Sequence, residues 1–366
     1  MKSGHLDYPF LFVTLLLSAT GFLIFSSAAL GLLAREGASF ATVAGTQVLF
    51  GIVCGLIALY VTSRIDTRLL RRFSIYVFGI SWIAAWLPFV PVIGLTLKGA
   101  HRWIEIGGLS FQPAELLKVG TIILLSSYFA AFANKAHTIR HGLIPFLGII
   151  AIAALPLALQ PDHDGILILG IAGAAVYFAA GGRFLHLLGL GVLAAVVAAL
   201  FIFSRPYVMD RIKTFIDPSR DPLGAGYQVT QSIIAVGSGQ AVGRGFGQSI
   251  QKFSHLPEPI GDSVFAVAAE EFGFAGSVFL ITLFVAFAAA GLRIAALSAD
   301  RFGGLLAVGL VVHIVSQSFI NIASMLALFP LSGTPLIFVS HGGTALLIAL
   351  AETGIILSVS RRLRSS

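Results

Sequence analysis

Four carboxylates lie within one short stretch, HLPEPIGDSVFAVAAEEFG, at residues 255–273. Glu258 and Asp262 lie among prolines and a glycine, and the doublet Glu270-Glu271 lies in the apolar run that follows. Asp262 immediately precedes the apolar run, where its carboxylate is placed to cap the first free N–H groups of a helix. On a helix of 100° per residue, Glu270 is about 80° from Asp262 and Glu271 is about 180° from it. We therefore expect Glu270 to line a cavity beside Asp262 and Glu271 to bind another helix.

A second group of ionisable residues occupies GAHRWIEIGGLSFQPAELLKVG, at residues 99–120. Pro113 suits the first turn of a helix, where its missing N–H costs nothing. Glu115 and Lys118 then lie three residues apart on one face, near enough to pair. They form either an ion pair that holds two helices together or an acid and a cation that receive an anionic substrate. Arg102, just upstream, favours the second interpretation.

The turn QPDHDG, at residues 160–165, contains residue types that can bind a metal ion. Asp162 and Asp164 flank His163, but no second histidine lies nearby, so a turn or a helix cap is the simpler interpretation. Either carboxylate is also a candidate for contact with a substrate.

Polar residues follow one face of the ninth apolar segment. His313, Gln317, Asn321 and Ser324 lie within about 80° of one another on a helix. Such residues commonly form hydrogen bonds between membrane helices. The alternative is that they line a cavity.

The composition indicates that a membrane surrounds these groups. Hydrophobic residues make up 57% of the 366 residues and charged residues 11%, against about 25% charged in soluble domains. The single cysteine, Cys54, excludes an internal disulfide. The net charge is +7, but the chain has no platform of aromatic and basic residues, so we expect no nucleic-acid partner. We expect the excess of basic residues to lie in cytoplasmic loops instead. Ionisable groups inside a membrane span cost about 2.5–3.5 kcal/mol each, so those kept are functional or paired.

The hydropathy pattern predicts an all-α integral membrane protein, with about ten transmembrane helices in a single polytopic domain, 1–366. Each span requires about 20 apolar residues. The first segment ends in no small-residue cleavage site, so we expect it to be retained as a span. The ten segments are 9–34, 45–63, 74–94, 113–133, 143–159, 164–180, 185–203, 263–292, 302–329 and 343–360.

The distribution of basic residues predicts the orientation. With alternate loops on opposite sides, one side holds 13 Lys and Arg residues, and the short loops of the other side hold three. The positive-inside rule then puts both termini in the cytoplasm and the connections 95–112 and 204–262 outside. The large 204–262 loop separates spans 7 and 8. Residues Tyr227 to Ile234 have helical spacing in it, so we expect part of this loop to lie along the membrane surface.

Four ordered motifs together resemble the SEDS family, which includes FtsW, RodA and SpoVE. HRWIEIGGLSFQPAELLK is similar to R-W-I-x-x-G-x-x-x-Q-P-S-E-x-x-K, and LQPDHDGILIL is similar to Q-P-D-x-G-T. The other two matches are YQVTQSIIAVGSGQ through EPIGDSVFAVAAEEFG, and FINIASMLALFPLSGTPLIFVSHGGTALL. The chain departs from the family at Ile260-Gly261, where His-Thr is usual. It also has His341 and Thr344 in the motif that is usually Ser-Tyr-Gly-Gly-Ser.

The resemblance implies a peptidoglycan glycosyltransferase that polymerises lipid II at the outer face of the bacterial cytoplasmic membrane. It would serve cell division or cell shape, and the segment QSIQKF at 248–253 is nearer to FtsW than to RodA. Asp262 would be the catalytic base that takes the proton from the acceptor sugar's 4-hydroxyl group. The substrate-binding residues would be Arg102, Glu115, Lys118, Asp162, Lys252, Glu270, Gln317, Asn321 and Ser340.

The leaving group would be a polyprenyl pyrophosphate, whose developing charge needs positioned cations. Arg102 and Lys118 are the first candidates, followed by Arg205 and Lys252. A divalent cation, Mg²⁺ or Mn²⁺, is an alternative source of positive charge, with Asp162 and Asp164 as weak ligands. No other cofactor is expected.

The partners implied by the resemblance are lipid II, membrane lipids and a class B penicillin-binding protein that crosslinks the new strand. Two other functions stay open from the sequence, a lipid II flippase and a non-catalytic scaffold for a transpeptidase. Transporter folds often carry inverted repeats, and this chain shows no such internal symmetry.

Overall fold

A computed structural model describes residues 6–34, 40–97, 100–106, 109–204, 209, 213–221 and 224–362. Helices dominate this part of the chain. The α-helices are α1 (Tyr8–Leu30), α2 (Phe40–Thr46), α3 (Gly55–Arg64), α4 (Thr67–Arg72), α5 (Ser74–Ala84), α6 (Pro113–Ala131), α7 (Ile144–Leu159), α8 (His163–Ala179), α9 (Phe184–Ser204), α10 (Ala225–Ser238), α11 (Gln251–Ser254), α12 (Val264–Leu297), α13 (Arg301–Met325) and α14 (Gly343–Ser360). A π-helical segment, Gln47–Cys54, joins α2 to α3, and another, Ile139–Leu143, leads into α7.

Seven helical segments of the described chain are long and apolar enough to cross a membrane. They are Tyr8–Leu30, Val43–Arg64, Pro113–Ala131, Ile139–Leu159, Val264–Leu297, Arg301–Met325 and Gly343–Ser360. Three shorter apolar helices, Ser74–Phe89, His163–Ala179 and Phe184–Leu193, lie at the other predicted spans. The multi-pass membrane architecture expected from the composition is therefore present, and the count of ten crossings stays a prediction.

A small antiparallel sheet interrupts the helical fold, so the expectation of a purely helical protein is wrong in the 95–112 connection. Its strands are β1 (Gly94–Leu97), β2 (Ala100–Ile106) and β3 (Leu109–Phe111), in the order β1-β2-β3. Leu95 is opposite Trp103, and Ile104 is opposite Phe111. The sheet holds Arg102 and Trp103 in extended backbone immediately before α6.

The helix α13 lies at the centre of the bundle. It packs against α6, α8, α12 and α14, and polar residues on its face are fully buried among them. At one end of the bundle, Asp7 caps α1 by accepting from the Phe10 N–H at 3.0 Å. The same carboxylate pairs with Arg293 at 2.6 Å, near the end of α12. This end is opposite the one where α12 begins.

Candidate active site

A cavity of about 100 Å³ lies where the N-terminal ends of α6, α8, α12 and α14 converge. It is lined by Arg102, Trp103, Gln112, Glu115, Lys118, Asp162, Gly165, Asp262, Gly333, Thr334, Pro335, His341, Gly342 and Ala345. Helix N-termini carry partial positive charge from their free N–H groups. These ends add positive charge to a lining that contains two cations and three carboxylates. These five ionisable residues are Arg102, Glu115, Lys118, Asp162 and Asp262, all predicted from the sequence.

Lys118 and Glu115 form a buried ion pair at the floor of the cavity. The Lys118 Nζ lies 2.8 Å from the Glu115 Oε2, and both side chains are almost fully buried. Lys118 also donates to the Gln317 Oε1 on α13 at 2.9 Å. An ammonium group has three N–H donors, so these two acceptors among the described residues leave one donor for the cavity. The pair that the spacing predicted is confirmed, and it also lies at the cavity.

Arg102 is held over the turn that precedes α8. Its Nε donates to the Gln160 carbonyl at 3.1 Å, and its Nη2 donates to the Pro161 carbonyl. Its Nη1 lies 3.7 Å from the Asp162 Oδ1. Asp162 in turn caps α8 by accepting from the Gly165 N–H at 3.2 Å, as expected of a turn acid. Asp162 thus orients the guanidinium and the helix start at once.

Asp262 lies half-buried immediately before α12 and also lines the cavity. Ser263 occupies the N-cap position of α12, and its side chain makes no capping hydrogen bond. The Asp262 carbonyl accepts from the Asn321 Nδ2 at 2.9 Å, and the Gly261 carbonyl accepts from the Ser340 Oγ at 2.8 Å. Asn321 and Ser340 thus hold the backbone that presents Asp262.

The remaining residues of the α13 stripe bond between helices. Asn321 also donates to the Thr334 carbonyl at 2.8 Å, which fixes the loop between α13 and α14. The His313 Nδ1 lies 3.0 Å from the Glu352 Oε2 on α14. The interhelical interpretation of this stripe therefore fits His313, Gln317 and Asn321, while Ser324 bonds within its own helix.

Lys252 and Glu270, both proposed to bind substrate, lie in a separate buried cluster outside the cavity lining. The Glu270 carboxylate accepts from the Ser249 Oγ at 2.5 Å and the Ile250 N–H at 3.1 Å. The Lys252 Nζ lies 2.6 Å from the Glu271 Oε1. Glu270 is absent from the cavity lining. Glu271 accepts from the Ser27 Oγ on α1 at 2.7 Å, so the expectation that Glu271 binds another helix is confirmed. Arg205, the other proposed cation, lies outside the described residues.

His341 is the ionisable residue of the cavity lining that the sequence analysis did not propose as a site residue. It follows the loop from Thr334, its N–H donates to the Ile260 carbonyl at 2.6 Å, and its ring stacks on Phe25 with centroids 5.9 Å apart. Burial lowers the pKa of His341 from its usual value, and the nearby negative charge of Glu258 opposes this shift. The signal was available in the sequence, because His341 and Ile260 are both departures from the family motifs, and the fold makes them neighbours.

The carboxylates at the start of α8 already have hydrogen-bond partners. Asp162 is used in capping α8 and in orienting Arg102, and the Asp164 Oδ2 accepts from the Gly333 N–H at 3.3 Å. Among the described residues, no group of three or more His, Cys, Asp and Glu side chains is arranged to hold a metal ion.

The fold and cavity together define a polytopic membrane protein with an ionisable site at one end of its helical bundle. A family model described as cell cycle protein, FtsW/RodA/SpoVE, matches residues 8–365. The chain therefore belongs to this family, as the four motifs predicted.

Two curated relatives illustrate the match. Stage V sporulation protein E of Bacillus subtilis (strain 168) is 35% identical over 362 residues, which cover 98% of both chains. A probable peptidoglycan glycosyltransferase FtsW of Geobacter sp. (strain M18) is 34% identical over 320 residues, 87% of both chains. These names support a glycosyltransferase role in the cell wall.

Solved structures support the fold. One, described as the structural coordination of polymerization and crosslinking by a peptidoglycan synthase complex, matches with a TM-score of 0.80 and 28% identity, over 98% of both chains. The rod shape determining protein RodA of Thermus thermophilus matches with a TM-score of 0.69 over 99% of both chains. At 24% identity, the second likeness concerns the fold alone.

Proposed function

We propose that the protein polymerises lipid II into glycan strands, with Asp262 as the catalytic base. The observation that carries this proposal is the juxtaposition of a half-buried Asp262 with Arg102 and Lys118 around one cavity that helix N-termini face. A base is useful only if it lies within about 2.6–3.2 Å of the proton that it removes. A sugar hydroxyl in this cavity lies against Asp262, and a phosphate group there meets the two cations.

The proposed reaction is a displacement at the donor's anomeric carbon. The acceptor's 4-hydroxyl oxygen forms the new glycosidic bond, the bond from that carbon to the polyprenyl pyrophosphate breaks, and the hydroxyl proton moves to Asp262. The departing pyrophosphate gains negative charge, which Lys118 and Arg102 stabilise from fixed positions. Glu115 and Gln317 hold the Lys118 ammonium at the cavity floor, so the reaction does not have to reorganise it.

A direct test uses the purified protein with labelled lipid II. Asp262→Ala is expected to abolish glycan chains while the protein stays folded. Glu105→Gln removes an exposed carboxylate from β2 and is expected to polymerise at the normal rate. Undiminished polymerisation by Asp262→Ala would contradict the base assignment. Movement of lipid II across vesicles by a variant that makes no chains would favour a flippase.

The proposed setting is the bacterial cytoplasmic membrane, with ten crossings, both termini in the cytoplasm and the cavity at the outer face. The excess of basic residues on the opposite loops supports this orientation. With Cys54 replaced by Ser, single cysteines at Asp221 and at Arg72 separate the two sides. An impermeant thiol reagent applied to intact cells is expected to label position 221 and not position 72, and the reverse pattern would invert the topology.

The proposed partner is a class B penicillin-binding protein, since a structural relative is described as coordinating polymerization and crosslinking. The proposed biological role is cell division or maintenance of cell shape. Depletion of the protein separates the two roles, because filaments indicate a division defect and spheres indicate an elongation defect. Normal cell shape on depletion would oppose both.

A further inference from the structure

A buried ionic cluster lies outside the cavity lining and is unused in the proposed mechanism. Lys252 is fully buried, and its Nζ lies 2.6 Å from the Glu271 Oε1. The same ammonium donates to the Ser27 Oγ on α1 at 2.9 Å, and Ser27 itself donates to Glu271 at 2.7 Å. Glu271 also accepts from the Ser249 N–H at 3.3 Å. Lys252 does not line the cavity, so its ammonium is not placed to contact a phosphate group bound there.

The Glu270 carboxylate binds backbone N–H groups of the segment 249–252. It accepts from the N–H groups of Ile250 and Gln251, at 3.1 and 3.3 Å, where α11 begins. The Arg244 Nε lies 3.4 Å from the Glu270 Oε1. The two adjacent glutamates therefore hold both the start of α11 and the lysine within it.

The backbone strengthens this attachment where α12 breaks. Gly273 has φ 66° and ψ −162°, which interrupts the helix. The N–H groups of Arg244 and Gly245 donate to the free carbonyls of Glu270 and Glu271. On the other side of the break, the N–H groups of residues 274 and 275 donate to the carbonyls of residues 240 and 241. The 240–245 loop thus forms hydrogen bonds with backbone groups on both sides of the helix break. Backbone polar groups at membrane depth require such partners.

The first part of α12, residues 264–272, is consequently fixed at both ends. Its start is held by Asn321 and Ser340 through the carbonyls of Asp262 and Gly261. Its end is held by the cluster of Glu270, Glu271 and Lys252. A helix of this length behaves as one rigid body, so a displacement at its end moves Asp262 at its start.

We propose that Lys252 and Glu271 are positioning residues that set the location of Asp262 through this helix. The inference rests on the proposed role of Asp262 as the base, and it replaces the expected contact of Lys252 with the substrate. It also means that the 240–252 part of the extracytoplasmic connection and the catalytic aspartate move together.

The test compares Lys252→Met with the charge exchange Lys252→Glu/Glu271→Lys. Lys252→Met is expected to lower turnover by about 10²-fold, the loss caused by roughly 1 Å of misplacement at a reacting group. The KM for lipid II is expected to stay unchanged, and the amides of residues 258–263 to exchange hydrogen faster. The charge exchange restores an ion pair, so it is expected to recover at least part of the turnover.

A matched control comes from the same connection. Arg220 and Asp217 form a half-exposed pair at 3.3 Å, so Arg220→Met is expected to leave turnover and hydrogen exchange unaltered. If Lys252→Met does not fold, Glu271→Gln replaces it, because this variant removes the charge and keeps the shape of the side chain. Its turnover, its KM and the hydrogen exchange of residues 258–263 are then compared with those of the parent protein.

The proposal is overturned if Lys252→Met raises the KM for lipid II and the charge-exchange variant recovers no turnover. That result would indicate that Lys252 binds the substrate. Unaltered hydrogen exchange at residues 258–263 would overturn it as well. Failure of the proposed function gives a different result, since Asp262→Ala would then still polymerise whatever Lys252 does.

Discussion

Breaking the Lys118–Glu115 pair is expected to destabilise the protein far more than breaking a surface pair. The charged atoms are 2.8 Å apart, and both side chains are almost fully buried. Removing one partner of such a pair leaves an uncompensated buried charge and costs about 3–5 kcal/mol. In Lys118→Met the Gln317 Oε1 also loses its donor, which adds about 1–3 kcal/mol. We expect a loss of at least about 3 kcal/mol in the free energy of unfolding.

Reversible unfolding in mixed micelles of denaturing and native detergents measures this free energy. The double variant Glu115→Leu/Lys118→Met removes both charges, and apolar replacement of a buried pair is often neutral, so it is expected to recover most of the loss. Arg220→Met breaks an exposed pair and is expected to cost at most about 1 kcal/mol. A cost for Lys118→Met no larger than that of Arg220→Met would refute the reasoning.

Three further predictions follow from the cavity and its supports. Burial lowers the pKa of His341, so the folded protein binds fewer protons than the unfolded chain just below pH 6.5. The contribution of this histidine to the free energy of unfolding is therefore lost as the pH falls from 6.5 through the folded pKa. His341→Tyr is expected to remove this dependence in thermal unfolding measured against pH, and an unaltered slope would contradict it. Asn321→Ala leaves the Asp262 and Thr334 carbonyls without their donor; we expect a loss of about 1–3 kcal/mol in the free energy of unfolding and a lower kcat, with an unchanged kcat opposing the positioning role. Gly273→Ala adds a Cβ about 2.3 Å from the Gly243 N at positive φ; we expect it to lower the unfolding temperature, whereas Gly237→Ala, with open space around its Cβ, leaves it unchanged or higher, and equal effects would refute the argument.

Features that depend on neighbouring residues were predictable from the sequence. The ion pair of Glu115 and Lys118 follows from their separation by three residues behind a helix-starting Pro113. The capping role of Asp162 follows from its position before an apolar helix. Each is a contact within one turn, so no tertiary information was needed.

Features that depend on distant parts of the chain were not predictable in the same way. The helical offsets predicted Glu270 at the cavity and Glu271 against another helix, but they contained no sign that the 249–252 segment folds back onto both glutamates. The break at Gly273 requires the 240–245 loop to satisfy it. The meeting of Asp262 with Arg102 required the whole bundle, since the two residues are 160 positions apart.

The role of His341 lies between these two cases. Its departure from the family motif is visible in the sequence, and so is that of Ile260. Only the fold shows that these positions touch, through the His341 N–H and the Ile260 carbonyl. The two departures from the family motifs are visible in the sequence, but their contact is visible only in the fold.

The central claim is that Asp262 removes the acceptor proton, and the turnover of Asp262→Ala on lipid II, measured together with lipid II binding, tests it most directly. A general base contributes about 10²–10⁴-fold to the rate. We predict a loss of turnover in this range or beyond, with lipid II affinity within a few-fold of the parent protein. Turnover close to that of the parent protein, or a loss explained entirely by weaker binding, would contradict the claim.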